Sequence, residues 1–254
     1  MATGSSRARV VDRVRQSAGE YVKRGLVAAR RPAAKRFYSA FVRPGDLVFD
    51  VGANVGDRTT IFRALGATVV AVEPQRSCLE RLEHAFGRDP QVRIAPVGLA
   101  AAPGSMELSI CDSASTISTM SENWREQGRF ADSHQWSRTE TVTVTTLDAL
   151  IDEYGMPAFC KIDVEGFELS VLEGLSSPIP HVSFEFTREF MGQAVACVRH
   201  LEGLGHYAFN VSLGESMRMT LPRWVSADEL FAALDAHPGQ SLWGDVYARA
   251  TPAT

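Results

Sequence analysis

"VFDVGANVGDRTTIFRALGATVVAVEP", residues 48–74, decides the fold of this chain. An apolar run leads into a turn with glycines at 52 and 56, and a helical pattern follows that ends at Gly66. A second apolar run stops at Pro74, which cannot continue a strand ladder. A strand, a helix and a parallel strand joined in this way form a right-handed βαβ unit. We therefore expect a nucleotide-like ligand at the carboxyl ends of the two strands.

The alternation of strands and helices continues toward the end of the chain. Further strands are predicted at 91–98, 158–166, 181–186, 206–212 and 241–249, with helical patterns between most of them. Two more β runs flank a polar, irregular segment, residues 112–138. A segment of that length inside a compact domain is normally a lid or disordered, so we expect a lid that contributes to substrate choice. The predicted fold class is α/β, with a mostly parallel, doubly wound sheet.

The length of 254 residues suits one large domain with an added arm. Residues 1–36 carry ten basic and two acidic side chains, a net charge of +8 against −12 for the remainder. We expect a basic helical arm over residues 1–40 that leans on the core or on a second subunit of a homo-oligomer. Weak contact with an anionic membrane surface is the alternative. No aromatic residues alternate with the basic ones, so no nucleic-acid partner is expected.

The cysteines argue against two classes of protein. All four are far apart and form no C-x-x-C pair, which disfavours a disulfide framework and a zinc site and fits a reducing cytoplasm. No apolar run approaches the roughly 18 residues that span a bilayer. The N-terminal arginines are not followed by the apolar region of a secretory signal. We therefore expect a cytoplasmic protein with no transmembrane segment.

The glycine turn has the spacing D-x-G-x-N-x-G over residues 50–56. A dinucleotide fingerprint has G-x-G-x-x-G, because its middle glycine lets the pyrophosphate lie against the backbone. Asn54 stands in that place and would crowd a diphosphate, and Asp50 would add negative charge beside it. Asp50 better suits the amino group and sulfonium of S-adenosylmethionine. Gly52 and Gly56 would let the backbone approach the methionine portion.

Glu73 ends the second strand, and its two carboxylate oxygens suit a ribose diol. The diol contact applies equally to a nicotinamide dinucleotide, so an NAD-dependent oxidoreductase remains the alternative, as does a non-catalytic domain that only binds S-adenosylmethionine. The residues expected to contact S-adenosylmethionine are Asp50, Gly52, Asn54, Gly56, Glu73 and Pro74.

Three further acids are predicted at strand ends. Asp163 and Glu165 lie at the end of the strand in "KIDVEGFE", and Glu185 lies near the end of the next strand. Ligands of open parallel sheets bind outside these ends, so the acids should face the same crevice as the glycine turn. Carboxylates this close need a lysine, a metal ion, the sulfonium or protons beside them.

Four motifs occur in order: "VFDVGANVG", "AVEP", "TVTTLDALI" and "KIDVEGFELSVLEG". From about residue 46 to residue 186 they resemble the FkbM-type family of S-adenosylmethionine-dependent methyltransferases. The resemblance implies a seven-stranded Rossmann-like methyltransferase domain over residues 41–254. It also implies O-methylation of a hydroxyl of a sugar, glycolipid or secondary metabolite, with active-site roles for Asp163 and Glu165.

The proton of the acceptor hydroxyl has several candidate destinations. Asp163 or Glu165 would act as the base if crowding raises its pKa. Alternatively, Asp163 and Glu185 hold a Mg²⁺-like cation that acidifies the alcohol. His134, in the lid, is a third candidate for the base. Lys161 lies two residues before Asp163, and we expect it to form an ion pair.

The lid also carries three large aromatic residues, Trp124, Phe130 and Trp136. They are expected either to stack on an apolar or sugar-ring face of the acceptor or to pin the loop to the core.

Overall fold

The computed structural model of the chain describes residues 31–239 and 242–252. The strands are β1 (Leu47–Val51), β2 (Thr68–Val72), β3 (Val92–Ala95), β4 (Gly98–Leu99), β5 (Gly104–Ile110), β6 (Arg138–Thr145), β7 (Phe159–Ile162), β8 (His181–Thr187), β9 (Tyr207–Leu213) and β10 (Trp243–Ala250). The helices are α1 (residues 31–38), α2 (Asp57–Ala64), α3 (Arg76–Phe86), α4 (Glu122–Gln127), α5 (Leu147–Tyr154), α6 (Glu168–Glu173), α7 (Met191–Leu204) and α8 (Ala227–Asp235).

The main sheet has seven strands in the order β3-β2-β1-β7-β8-β10-β9. The pairs from β3 to β8 are parallel, and β10 runs antiparallel to both of its neighbours. Helices cover both faces, as expected for a doubly wound sheet. The predicted fold class, α/β with a mostly parallel, doubly wound sheet of seven strands, is confirmed. The order reverses between β1 and β7, which opens the crevice that such sheets use for ligands.

Two apolar layers hold the sheet. One face packs residues such as Phe49 and Phe184 against the buried sides of α5 to α8. The other packs Phe159 and Tyr247 against α2 and against α1, whose Tyr38 is fully buried. Residue 31 is the first described residue, so most of the predicted basic arm, residues 1–30, lies outside the described part. The segment that is described packs into the core.

One face of the sheet carries polar side chains where β1, β7 and β8 lie side by side. Asp50 is in register with Lys161, and Lys161 with Ser183. Side chains alternate along a strand, so residues two positions further on return to the same face. Asp163 and Glu185 therefore belong to this face, at the carboxyl end of the sheet.

A second, smaller sheet has the order β4-β6-β5 and carries the lid, residues 112–138. The sequence predicts the third strand through residue 98, but β3 ends at Ala95 and Gly98–Leu99 pairs with β6 instead. The lid contains α4 and a 3₁₀ turn at Ser115–Ile117. All four cysteines are free and buried. Within the described ranges, none of the helices combines the length and apolar character needed to traverse a bilayer.

Candidate active site

A cleft that opens to solvent lies at the carboxyl ends of β1, β2 and β7, and the space within it and at its mouth is about 680 Å³. The lid and the β4 segment form its outer wall. Of the residues predicted to bind the cofactor, Gly52, Asn54, Glu73 and Pro74 line this cleft, and so do Asp163 and Glu165. The two predicted constellations therefore share one cavity.

Gly52 holds the glycine turn against the end of β7. Its φ is +77°, and a Cβ atom at this position would lie 1.8 Å from the backbone oxygen of Asp163. No side chain fits there, so the glycine is required by the close approach of two backbone segments. Asn54 also has a positive φ, 50°, which asparagine tolerates better than most residues. Both residues line the cleft.

Glu73 fastens the end of β2 to the turn. Its Oε2 accepts a hydrogen bond of 2.8 Å from the backbone N–H of Asn54, and its Oε1 accepts one of 2.8 Å from that of Gln75. Burial raises the pKa of Glu73 to about 7, although both backbone bonds oppose the rise. Each carboxylate oxygen keeps a second lone pair, so the carboxylate can accept bonds from a diol in the cleft.

Asp50 and Gly56 are placed behind the cleft and do not belong to its lining in the described part of the chain. Asp50 is 1% exposed, and its Oδ2 accepts a 2.6 Å hydrogen bond from the hydroxyl of Thr59. A Cβ atom on Gly56 would lie 2.4 Å from the ring of Phe86. Gly56 therefore allows α3 to pack closely against the glycine turn. Asp50 links the end of β1 to α2 through its hydrogen bond with Thr59.

The carboxylates of Asp163, Glu165 and Glu185 come together as predicted, with one oxygen of each within 4.8 Å of the others. We call these three residues the carboxylate cluster. Glu165 has a φ of 55° and is followed by Gly166, so the chain turns sharply there. Glu168 Oε1 accepts the backbone N–H groups of Val164 and Gly166 and thereby fixes the turn.

Two cations of the chain neutralise part of the cluster. Lys161 Nζ lies 2.6 Å from Asp163 Oδ2, which confirms the predicted ion pair, and its side chain is only 3% exposed. Arg129, from the lid, lies 2.9 Å from Glu185 Oε1. Arg129 is not among the residues predicted from the sequence, because it follows no periodic pattern in the lid. Its guanidinium also lies 4.6 Å from the ring centroid of Trp243.

The pKa values of the cluster separate into two groups. Burial and the charge of Asp163 raise the pKa of Glu165 well above its usual range. Burial and the charge of Glu165 do the same for Glu185. Burial alone would raise the pKa of Asp163 too, but the adjacent Lys161 lowers it. Crowding therefore favours a proton on Glu165 or Glu185, while Asp163 stays ionised.

The spacing of the carboxylate cluster would fit a single hard cation, which prefers carboxylate oxygens. Asp163 and Glu185, the predicted Mg²⁺ ligands, each give one oxygen to Lys161 or Arg129. A metal ion would therefore compete with cations that the chain already supplies.

The aromatic residues of the lid pack against the body of the protein, through Trp124, and against other parts of the lid. Trp124 is 2% exposed, and its ring contacts that of Phe190 at 5.6 Å. Trp136 donates a 3.0 Å hydrogen bond to the backbone of Ile117. His134 bonds to the neighbouring Ser133 and packs on Phe130, which places it on the outer part of the lid. These contacts favour pinning of the loop over stacking on a ligand.

A profile of the methyltransferase FkbM domain matches residues 50–224, more than half of the chain. Among curated proteins, the hexuronic acid methyltransferase AglP of Haloferax volcanii is 28% identical over 145 residues, covering 55% of this chain and 54% of that protein. The match thus spans about half the length of this relative.

Two solved structures cover most of the chain at low identity. They are precorrin-6y C5,15-methyltransferase of Geobacter metallireducens (9% identity, TM-score 0.45, 87% of each chain) and a TehB-like SAM-dependent methyltransferase of Corynebacterium glutamicum (12% identity, TM-score 0.43, 93% of this chain and 98% of that one). The profile match includes both the cleft and the carboxylate cluster. The chain belongs to the FkbM methyltransferase family.

Proposed function

We propose that this protein is an S-adenosylmethionine-dependent O-methyltransferase that acts on a hydroxyl of a sugar, glycolipid or secondary metabolite. The observation that carries the proposal is the shared cavity: Glu73 and the glycine turn line the same cleft as Asp163 and Glu165. The proposed cofactor site and the candidate proton acceptors therefore line one continuous cavity. The hexuronic acid named for the relative from Haloferax volcanii supports a carbohydrate acceptor.

The cofactor residues fit S-adenosylmethionine better than a dinucleotide. Asn54 narrows the turn where a diphosphate needs bare backbone, and Glu73 and Asp163 bring negative charge to both sides of the cleft. The bound cofactor would supply a methyl group already activated on a sulfonium. Glu73 would accept the ribose hydroxyls, and the backbone at Gly52 would lie against the methionine portion. The matching family argues against the NAD-dependent alternative.

Glu165 is the best candidate for the general base. It lines the cleft, and its raised pKa brings its proton affinity closer to that of the acceptor than an ordinary carboxylate allows. Asp163, kept ionised by Lys161, would accept a hydrogen bond from the acceptor hydroxyl and orient it. The Arg129–Glu185 pair would hold the lid over the acceptor.

A screen for transfer of labelled methyl groups to hydroxylated extracts and defined glycosides tests the proposal. The expected result is transfer that rises with pH as Glu165 loses its proton, at a pH above the ordinary range of a glutamate. Glu165→Gln should lower turnover about 10²- to 10⁴-fold, the usual contribution of a general base. It should leave S-adenosylhomocysteine binding intact.

The exposed Glu153 offers a matched control, since Glu153→Gln makes the same chemical change outside the cleft. Normal turnover by Glu165→Gln would remove that residue from the mechanism. The screen is run with and without a chelator, and we expect equal rates. Loss of transfer on chelation would assign the carboxylate cluster to a Mg²⁺-like ion instead. Binding of S-adenosylhomocysteine without transfer to any acceptor would favour a non-catalytic domain.

A further inference from the structure

Unpaired polar groups are concentrated around the carboxylate cluster. Nine buried side-chain nitrogen or oxygen atoms lack a hydrogen-bond partner among the described residues, and five surround this one place. They belong to Trp124, Arg129, Glu165, Glu185 and Thr187. Buried polar groups in folded proteins are nearly always paired, so such a concentration indicates a site that a polar ligand completes.

Three of these five residues line a second, narrow pocket between α4 of the lid and the end of β8. Trp124, Glu185 and Thr187 line it. Trp124 and Thr187 are each 2% exposed, and the side chain of Glu185 is 10% exposed. Glu185 and Thr187 are two residues apart on β8, so both point to the same face of the sheet. The pocket has room for a group of the size of a hydroxyl but not for a whole sugar ring.

The carboxylate cluster separates this pocket from the cleft. Glu165 lines the cleft, Glu185 lines the pocket, and their oxygens lie within 4.8 Å of each other. An acceptor placed over the cluster would present one hydroxyl to Glu165 and a neighbouring hydroxyl to the pocket. A hydroxyl both donates and accepts, and the pocket offers an indole N–H, a carboxylate oxygen and a threonine hydroxyl.

We propose that this pocket is an acceptor subsite that selects a neighbouring hydroxyl, so that the acceptor is a vicinal diol of the kind found on a pyranose ring. Thr187, with Glu185 and Trp124, binds the hydroxyl that is not methylated. The inference rests on the proposed function and names the acceptor class of the same site. The guanidinium of Arg129, which pairs with Glu185, lies 5.0 Å from the ring centroid of Phe130 and 4.6 Å from that of Trp243.

The test uses the full chain saturated with S-adenosylhomocysteine and a panel of methyl hexopyranosides (gluco, galacto and manno), with cyclohexanol as the ring that has a single hydroxyl. Binding is followed by ligand-observed NMR titration. We expect at least one pyranoside to bind and cyclohexanol not to bind. Thr187→Val keeps the side-chain shape but removes the hydroxyl, and should weaken pyranoside binding about three- to ten-fold, the effect of one lost hydrogen bond.

Two variants separate binding from structure. Thr187→Ser keeps the hydroxyl and should restore pyranoside affinity. Ser183 lies four residues before Thr187 on the same strand and outside the pocket, and its hydroxyl also lacks a partner among the described residues. Ser183→Ala should therefore leave pyranoside affinity unchanged. The inference is overturned if S-adenosylhomocysteine binds but no pyranoside does, or if Ser183→Ala and Thr187→Val weaken binding equally. Failure of S-adenosylhomocysteine itself to bind would refute the proposed function and this inference with it.

Discussion

Replacing Lys161 with methionine tests whether one buried cation holds the carboxylates of the site in place. Its ammonium lies 2.6 Å from Asp163 Oδ2, and the side chain is 3% exposed. Methionine keeps the apolar stem but leaves Asp163 without its partner. Breaking a buried ion pair costs about 3–5 kcal/mol. Because the side chain of Asp163 is 34% exposed and reaches water, we expect the lower end. The free energy of unfolding should therefore fall by about 3 kcal/mol near neutral pH.

The decrease in the free energy of unfolding caused by Lys161→Met should become smaller as pH falls. In the wild type, burial opposes ionisation of Asp163, but Lys161 lowers its pKa below the ordinary 3.8. A carboxyl whose pKa is lowered on folding stabilises the fold above its unfolded pKa, and that contribution is lost as pH falls through its folded pKa. In the variant the unpaired carboxyl keeps its proton to higher pH. The wild type and the variant should therefore converge toward acid pH.

Urea unfolding followed by circular dichroism, from about pH 2.5 to about pH 8, covers the pH range below the ordinary pKa of 3.8 and measures both effects. Asp163→Asn and the double variant complete a cycle, in which a coupling of about 2 kcal/mol or more is expected for groups in direct contact. Lys35→Met, at an exposed position, makes the same replacement outside the network and should change stability by less than about 0.5 kcal/mol. Additive single variants, or a loss that is the same at acid and neutral pH, would refute the reasoning.

Two further predictions concern the backbone that shapes the cleft. Gly52→Ala should abolish S-adenosylhomocysteine binding, because the added Cβ would lie 1.8 Å from the backbone oxygen of Asp163. Gly104 has open space around it, so Gly104→Ala should bind S-adenosylhomocysteine normally in the same calorimetric titration. Burial raises the pKa of Glu168 to about 7 from the ordinary 4.5, so this group costs stability as pH rises through that range. Glu168→Gln still offers an oxygen to the N–H groups of Val164 and Gly166 but has no proton to lose. The free energy of unfolding of the variant, relative to that of the wild type, should therefore rise by about 3 kcal/mol between pH 4 and pH 8. Parallel pH curves for the two proteins would contradict this prediction.

The sheet and the carboxylate cluster follow from local patterns in the sequence. The βαβ unit is marked by its apolar runs and glycine turn, and parallel strands bring their carboxyl ends to one edge. That rule alone places Asp163, Glu165 and Glu185 together, and the structure does so. Lys161 was predicted as the partner of Asp163 because two residues of a strand separated by one position share a face.

Other features depend on contacts between distant parts of the chain and leave no local signal. Arg129 meets Glu185 across 56 positions from an irregular segment. Gly98–Leu99 is too short a strand for its pattern to show, and it pairs with β6 only because the lid returns there. The sequence also suggests direct cofactor contact by Asp50, but the hydroxyl of Thr59 engages its carboxylate behind the cleft. Direct contact of Asp50 with the cofactor stays a prediction.

The difference in pKa between Asp163 and Glu165 also depends on how the chain packs. The sequence predicts that crowding raises the pKa of either Asp163 or Glu165. The structure raises the pKa of Glu165 and lowers that of Asp163, because Lys161 lies against only one of them. The sequence pairs Lys161 with Asp163, but the effect of that pair on the two pKa values depends on how deeply each carboxylate is buried.

The proposed function requires that the cleft beside the glycine turn holds S-adenosylmethionine. Isothermal titration of the full chain with S-adenosylhomocysteine, and separately with NAD, tests it most directly. We expect saturable heat at one equivalent of S-adenosylhomocysteine, none with NAD, and loss of the signal in Gly52→Ala. Saturable binding of NAD, or no heat with S-adenosylhomocysteine from a folded protein, would contradict it.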